Sequence, residues 1–264
     1  MRSIKQQFGV CCRLLALLLV CALPLLLDGC RSRSSHVITL SAAASLQDAI
    51  VEIEASYQTS SGNVEFRNNF GSSGTLAREI EDGAPVDAFL SAAAKPMNDL
   101  DSKGLIEPGT RLNLLRNSLV LIAPQDSQLK GFDGLEDKSV RLIALGDPAS
   151  VPAGQYGKQT LASLHLDEKL QSKLVLGKDV RQVLTYVETG NADAGLVYAT
   201  DALISSRVRV VAVAPDTSHD PIIYPAAVIK TSTNKEAARS FIEYLESSAA
   251  KAIFIKHGFT LASS

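Results

Sequence analysis

Ser45 and Ser73 share a setting. Each follows a β-like run and stands where a helix is about to start: Val37-Ile-Thr-Leu-Ser-Ala-Ala-Ala-Ser45-Leu-Gln-Asp-Ala-Ile50 and Val64-Glu-Phe-Arg-Asn-Asn-Phe-Gly-Ser-Ser73-Gly-Thr-Leu-Ala-Arg-Glu-Ile80. A serine there offers its hydroxyl and backbone N–H together, at the partly positive end of a helix dipole. One such serine is a helix cap. Two, in consecutive strand–helix units, can converge on a single small anion.

Two more junctions of this kind follow. The apolar run 140–145 leads into Gly146-Asp-Pro-Ala-Ser-Val-Pro-Ala153-Gly-Gln-Tyr156 and then a helix. Its two prolines and Gly154 fix the turn, so backbone N–H groups near Ala153 point outward unpaired. Asp179 reads as the N-cap of Val180-Arg-Gln-Val-Leu-Thr-Tyr-Val, which leaves the Val180 N–H among the free donors of that helix. Tyr198 ends the run Ala194-Gly-Leu-Val-Tyr, and ligands of open α/β sheets bind at the carboxyl ends of strands. Taken singly, each feature has an ordinary explanation: Ser45 and Ser73 as caps, Tyr198 as an aromatic at the core edge. Ala153 and Val180 carry no side-chain chemistry at all. Arg78 and Arg181 are the obvious cations, but each falls inside a helix past its first residues, which favours a solvated or salt-bridged role.

The elements that must position these residues alternate along the chain. Strand-like runs are 37–40, 64–66, 86–90, 119–123, 140–145, 194–198, 208–213 and 226–229. Helix-like runs are 46–57, 75–81, 96–102, 155–164, 180–189, 235–246 and 249–257. Gly83 with Pro85, Gly104 and Gly190 close three of the helices. The alternation predicts an α/β protein with mainly parallel sheets flanked by helices. Asn117-Ser118 and the stretch 218–225 are polar, turn-rich and border apolar strands. They read as two crossings between lobes, with lobe one at 36–117 plus 222–264 and lobe two at 118–221.

Arg2, Lys5 and Arg13 form a basic n-region, and 14–27 is an uncharged, leucine-rich run. It is shorter than the roughly 20 apolar residues of a membrane span and reads as a secretory signal. It closes on Leu27-Asp28-Gly29-Cys30, which resembles the lipobox of bacterial lipoproteins. That resemblance implies a signal peptide at 1–29, a lipid anchor on Cys30, and a tether over 30–36. Ordinary cleavage near Ser34 would instead discard Cys30. Cys11, Cys12 and Cys21 lie in the signal, so the mature chain forms no internal disulfide. Removing 1–29 takes away three basic residues and one acidic one; 23 Lys+Arg then face 27 Asp+Glu, a net charge of −4. This argues against a nucleic-acid partner, and any anion site must work by aimed local dipoles.

Seven motifs occur in order: Ala42-Ala-Ala-Ser45-Leu, Gly71-Ser-Ser73-Gly-Thr-Leu-Ala-Arg78, Gly83-Ala-Pro-Val-Asp87, Gly146-Asp-Pro, Val151-Pro-Ala153-Gly, Asp179-Val180-Arg181 and Gly195-Leu-Val-Tyr198-Ala-Thr-Asp201. Together they resemble the periplasmic molybdate-binding proteins of bacterial ABC importers, over nearly all of 37–261. The resemblance implies a two-lobed, type II periplasmic solute-binding fold with the ligand, molybdate or tungstate, in the interlobe cleft. It implies hydroxyl and N–H donors from Ser45 and Ser73, N–H donors from Ala153 and Val180, and the phenol of Tyr198. It also implies an exported, extracytoplasmic monomer that delivers its cargo to a separate permease and ATPase, with no catalysis, no cofactor and no metal apart from the bound oxyanion. One departure is Ser91-Ala-Ala-Ala94, where the family commonly has an aspartate after Ser-Ala.

A sulfate or other oxyanion binder of the same fold is the nearest alternative. A secreted serine hydrolase is remote, since the chain has no Gly-x-Ser-x-Gly elbow and none of its four histidines sits in a catalytic context. Those histidines also lack metal-ligand spacing.

Overall fold

The computed structural model describes residues 36–62 and 64–262. The signal segment, Cys30 and the tether up to residue 35 lie outside the described residues. The strands in chain order are β1 (His36–Ala43), β2 (Val64–Gly71), β3 (Ala88–Leu90), β4 (Leu112–Arg116), β5 (Leu119–Pro124), β6 (Ile143–Gly146), β7 (Leu174–Gly177), β8 (Ala194–Tyr198), β9 (Val208–Val213), β10 (Ile223–Val228) and β11 (Thr260–Leu261). They make two sheets, one of order β11-β4-β10-β3-β1-β2 and one of order β7-β6-β8-β5-β9.

Both sheets are mixed. β1 runs parallel to β2 and β3, and β6 runs parallel to β7 and β8. These are the strand–helix–strand stretches, where a crossover returns the chain in the same direction. β10 and β5 run antiparallel to both of their neighbours. Each is the first strand after the chain passes from one sheet to the other. The passages lie between Arg116 and Leu119, and between Val213 and Ile223.

The helices are α1 (Gln47–Ser61), α2 (Ser73–Glu81), α3 (Ala94–Ser102), α4 (Pro152–Ser163), α5 (Asp167–Leu170), α6 (Val180–Glu188), α7 (Ala199–Leu203), α8 (Lys235–Tyr244) and α9 (Ser248–Lys256). Their apolar stripes cover the sheets. In α6, Val180, Val183, Leu184 and Val187 are buried, the i, i+3, i+4, i+7 spacing of one helix face. Every residue of β6 and β8 is buried, as expected for strands covered on both sides.

Local chemistry trims the expected elements. The strand read from 140 starts only at Ile143, because the Asp193 carboxylate takes the N–H groups of Arg141 and Leu142 at 2.7 and 3.0 Å. The helix read from 155 starts earlier, at Pro152, since proline suits the first helical position, where no N–H is needed.

Candidate functional site

Neither Ser45 nor Ser73 caps a helix. Ser45 lies in a single 3-10 turn, Ala44–Leu46, between β1 and α1, and no side chain caps α1. Its hydroxyl pairs instead with the Tyr224 hydroxyl at 3.0 Å. In α2 the cap is Ser72, whose Oγ accepts from the Thr75 N–H at 3.3 Å. Ser73, the first helical residue, is thereby released. Its Oγ accepts from the Ala92 N–H at 2.9 Å, and the residue is fully buried.

Ala153 is the second residue of α4. Gly154 lets that helix start lie against the end of β6: a Cβ at 154 would sit 1.9 Å from the Gly146 carbonyl oxygen. Val180 opens α6, and Asp179 caps it by accepting from the Gln182 N–H at 2.9 Å, as its position in the sequence suggests. The Asp179 carboxylate is thus turned to its own helix. Tyr198 ends β8, is buried, and donates to the Ala92 carbonyl at 3.2 Å.

The structure brings Ser45, Ser73, Ala153, Val180 and Tyr198 around one cavity of about 10 Å³. That is about the room of a single water molecule. It is far below the roughly 300–1,000 Å³ of pockets for drug-sized ligands. None of the residues lining it is charged. The starts of α2, α4 and α6 meet there, so the wall offers hydroxyls and backbone N–H groups at the positive ends of helix dipoles. Burial holds the phenols of Tyr198 and Tyr224 well above their ordinary range, so both remain neutral.

The two arginines are committed to protein partners. Arg78 donates to the Ala149 carbonyl at 2.7 Å. Arg181 pairs with Asp48 at 2.7 Å and with the fully buried Asp201 at 2.9 Å. Burial pushes the Asp201 carboxyl up to about 7, against the pull of Arg181. Neither arginine lines the cavity.

Sequence reasoning missed three participants. Tyr224 and Asn117 anchor Ser45, Asn117 donating to the Tyr224 hydroxyl at 3.2 Å. Ala92 serves both Ser73 and Tyr198 through its own peptide groups. The only signal for Ala92 was the departure at 91–94. There Ala93 occupies the N-cap of α3 without a side-chain cap, and Ser91 Oγ closes the loop by donating to the Ala93 carbonyl at 2.7 Å.

Residues 38–260 match the profile of the bacterial extracellular solute-binding proteins. The chain belongs to this family. A Bacillus subtilis relative, YvgL, provisionally named an ABC transporter substrate-binding lipoprotein, is 44% identical over 245 residues, 89% of this chain and 94% of its own length. The molybdate-binding protein ModA of Escherichia coli K12 is 41% identical over 230 residues, 85% of this chain and 89% of its own. The solved structure of the Azotobacter vinelandii periplasmic molybdate-binding protein superposes with a TM-score of 0.78 at 25% identity, covering 86% of this chain and all of that one. As a solute-binding protein the chain has the two-lobed type II fold, with one sheet in each lobe and the cavity in the cleft between them. The family's role is to bind a solute outside the cytoplasm.

Proposed function

We propose that this solute-binding protein captures molybdate or tungstate for an ABC importer, holding the tetrahedral dianion with Ser45, Ser73, Ala153, Val180 and Tyr198. The observation that carries the reading is the wall where three helix starts meet and no charged side chain enters. A dianion that bears no proton asks for donors alone, and a carboxylate acceptor in the wall would favour protonated phosphate. Relatives named for molybdate support the same ligand. Hydrogen bonds to a charged partner contribute roughly 1.5–3 kcal/mol each, enough in sum for micromolar to nanomolar affinity after desolvation.

In this reading lobe one is 36–117 plus 222–264 and lobe two is 118–221. Cys30 carries the lipid that tethers a monomer to the extracytoplasmic face of the membrane. A separate permease and ATPase complete the importer, and the protein itself catalyses nothing.

The test is thermal unfolding of the purified protein with molybdate, tungstate, sulfate or phosphate. Ligand at about 1,000 times its dissociation constant adds roughly 4 kcal/mol, a rise of about 8–16 °C for a chain of this size. A rise with molybdate and tungstate alone supports the reading. Equal rises with sulfate make the protein a general oxyanion binder, and no rise with any anion overturns the site.

A further inference from the structure

The lobes meet main chain to main chain at Gly74. Its N–H donates to the Ser150 carbonyl at 2.9 Å, directly after the site residue Ser73. A Cβ at this position would stand 2.5 Å from the Ser150 carbonyl oxygen and 2.9 Å from its Cα. Its three nearest neighbours would all be main-chain atoms of Ser150, which cannot swing aside as a flexible side chain can. Gly74 lies inside α2 and is not among the residues with positive φ. Its own helix therefore gives no reason for glycine, and alanine would suit that helix better. The reason lies in the opposite lobe.

We infer that Gly74 is the closure contact of this protein, a positioning residue whose missing side chain lets α2 seat against the turn before α4. The inference rests on the oxyanion-binding reading of the cleft. Seating α2 there brings Ser73 to the same small cavity as Ala153, which the Ser150 turn precedes by three residues. Arg78, one helical turn past Gly74, follows the same seam to the Ala149 carbonyl. Across the cavity, Arg181 reaches Asp48 and Tyr198 reaches Ala92. A Cβ at 74 holds the seam open on one side. Hydrogen bonds weaken steeply once stretched past their normal range, so the two lobes then no longer donate to one anion together.

The experiment compares wild type with Gly74→Ala by calorimetric titration with molybdate and by small-angle scattering with and without it. The expected result is a fall in affinity of about tenfold or more, the loss of at least one charge-assisted bond. Molybdate is expected to compact wild type, and to compact the variant less, while the variant's ligand-free unfolding midpoint is equal or higher. Wild-type affinity and compaction in the variant overturn the closure role, as does a lowered ligand-free midpoint with unchanged affinity. If wild type takes sulfate but not molybdate, the ligand assignment fails, and the same comparison made with sulfate decides the role of Gly74. If wild type binds neither anion, both readings fall.

Discussion

The Oγ of Ser45 lies 3.0 Å from the hydroxyl of Tyr224, on the strand by which the chain returns to the first sheet. The same hydroxyl accepts from Asn117 Nδ2, which also donates to Thr200 Oγ1 at 2.9 Å. Asn117 stands in the other passage between the sheets. Ser45, a residue of the proposed site, is thus oriented by a group in one passage and a group on the strand that follows the other.

Tyr224→Phe keeps the buried ring and deletes that anchor. We expect a loss of about 1 kcal/mol in stability, near 2–4 °C in unfolding midpoint. Molybdate affinity is expected to fall by about three- to tenfold, because Ser45 loses its fixed orientation. Calorimetric titration checks this, and unchanged affinity would separate Tyr224 from the site.

Ser73→Ala and Arg78→Gln separate hydroxyl recognition from bulk charge. Removing the Ser73 hydroxyl costs about 1.5–3 kcal/mol of binding, roughly 10- to 100-fold. Arg78 is engaged with the Ala149 carbonyl and does not line the cavity, so Arg78→Gln weakens binding much less. Titration of the two variants in the reverse order of affinity would reject the assignment.

Much of this arrangement was legible in the sequence. β8 and β9 begin and end where their apolar runs do, and each of the four marked junctions lies at a helix start. Those signals are local, carried by capping residues, prolines and hydrophobic period. The division of labour between Ser72 and Ser73 was not legible, because capping rules admit either and only packing against Ala92 decides. β4, β7 and β11 were missed because they are short and only partly buried, and their strand state comes from pairing with a neighbour. Tyr224 and Gly74 matter through partners 179 and 76 residues away, and no spacing rule reaches that far.

Glu54 should make stability depend on pH. It faces the interior from α1, with Oε2 accepting from Asn68 at 2.9 Å and Oε1 buried without a partner among the described residues. Burial raises its carboxyl to about 7, against the lowering effect of Asn68. The folded state therefore holds the proton more tightly than the unfolded chain does. Stability is greatest below the unfolded value and falls as pH climbs through about 7. Glu54→Gln should remove roughly 2–3 kcal/mol of that fall between about pH 5 and pH 8. Asp201, shifted in the same direction, is present in both proteins and cancels in the difference. Urea unfolding at the two pH values measures it, and parallel pH profiles would refute it.

Gly154→Ala is the counterpart of Gly74→Ala with the opposite outcome for folding. Its Cβ meets the Gly146 carbonyl within the same lobe, so the strain is present with or without ligand. We expect a destabilisation of about 3 kcal/mol, a drop of roughly 6–12 °C in the ligand-free midpoint. An unshifted midpoint in a thermal scan would show that α4 can move off β6 at no cost.

Ala153 and Val180 enter the proposed site only through their main-chain N–H groups. A mutation in either codon changes the side chain yet leaves the donor in place, proline excepted. Selection can therefore act on side-chain packing at these two positions without touching recognition itself. Altering these two donors takes insertions or deletions that reposition whole helix starts, a rarer event than base substitution, whereas the hydroxyls of Ser45, Ser73 and Tyr198 can each be lost by a single substitution. The main-chain part of the proposed site is therefore buffered against sequence drift, and the hydroxyl part is not.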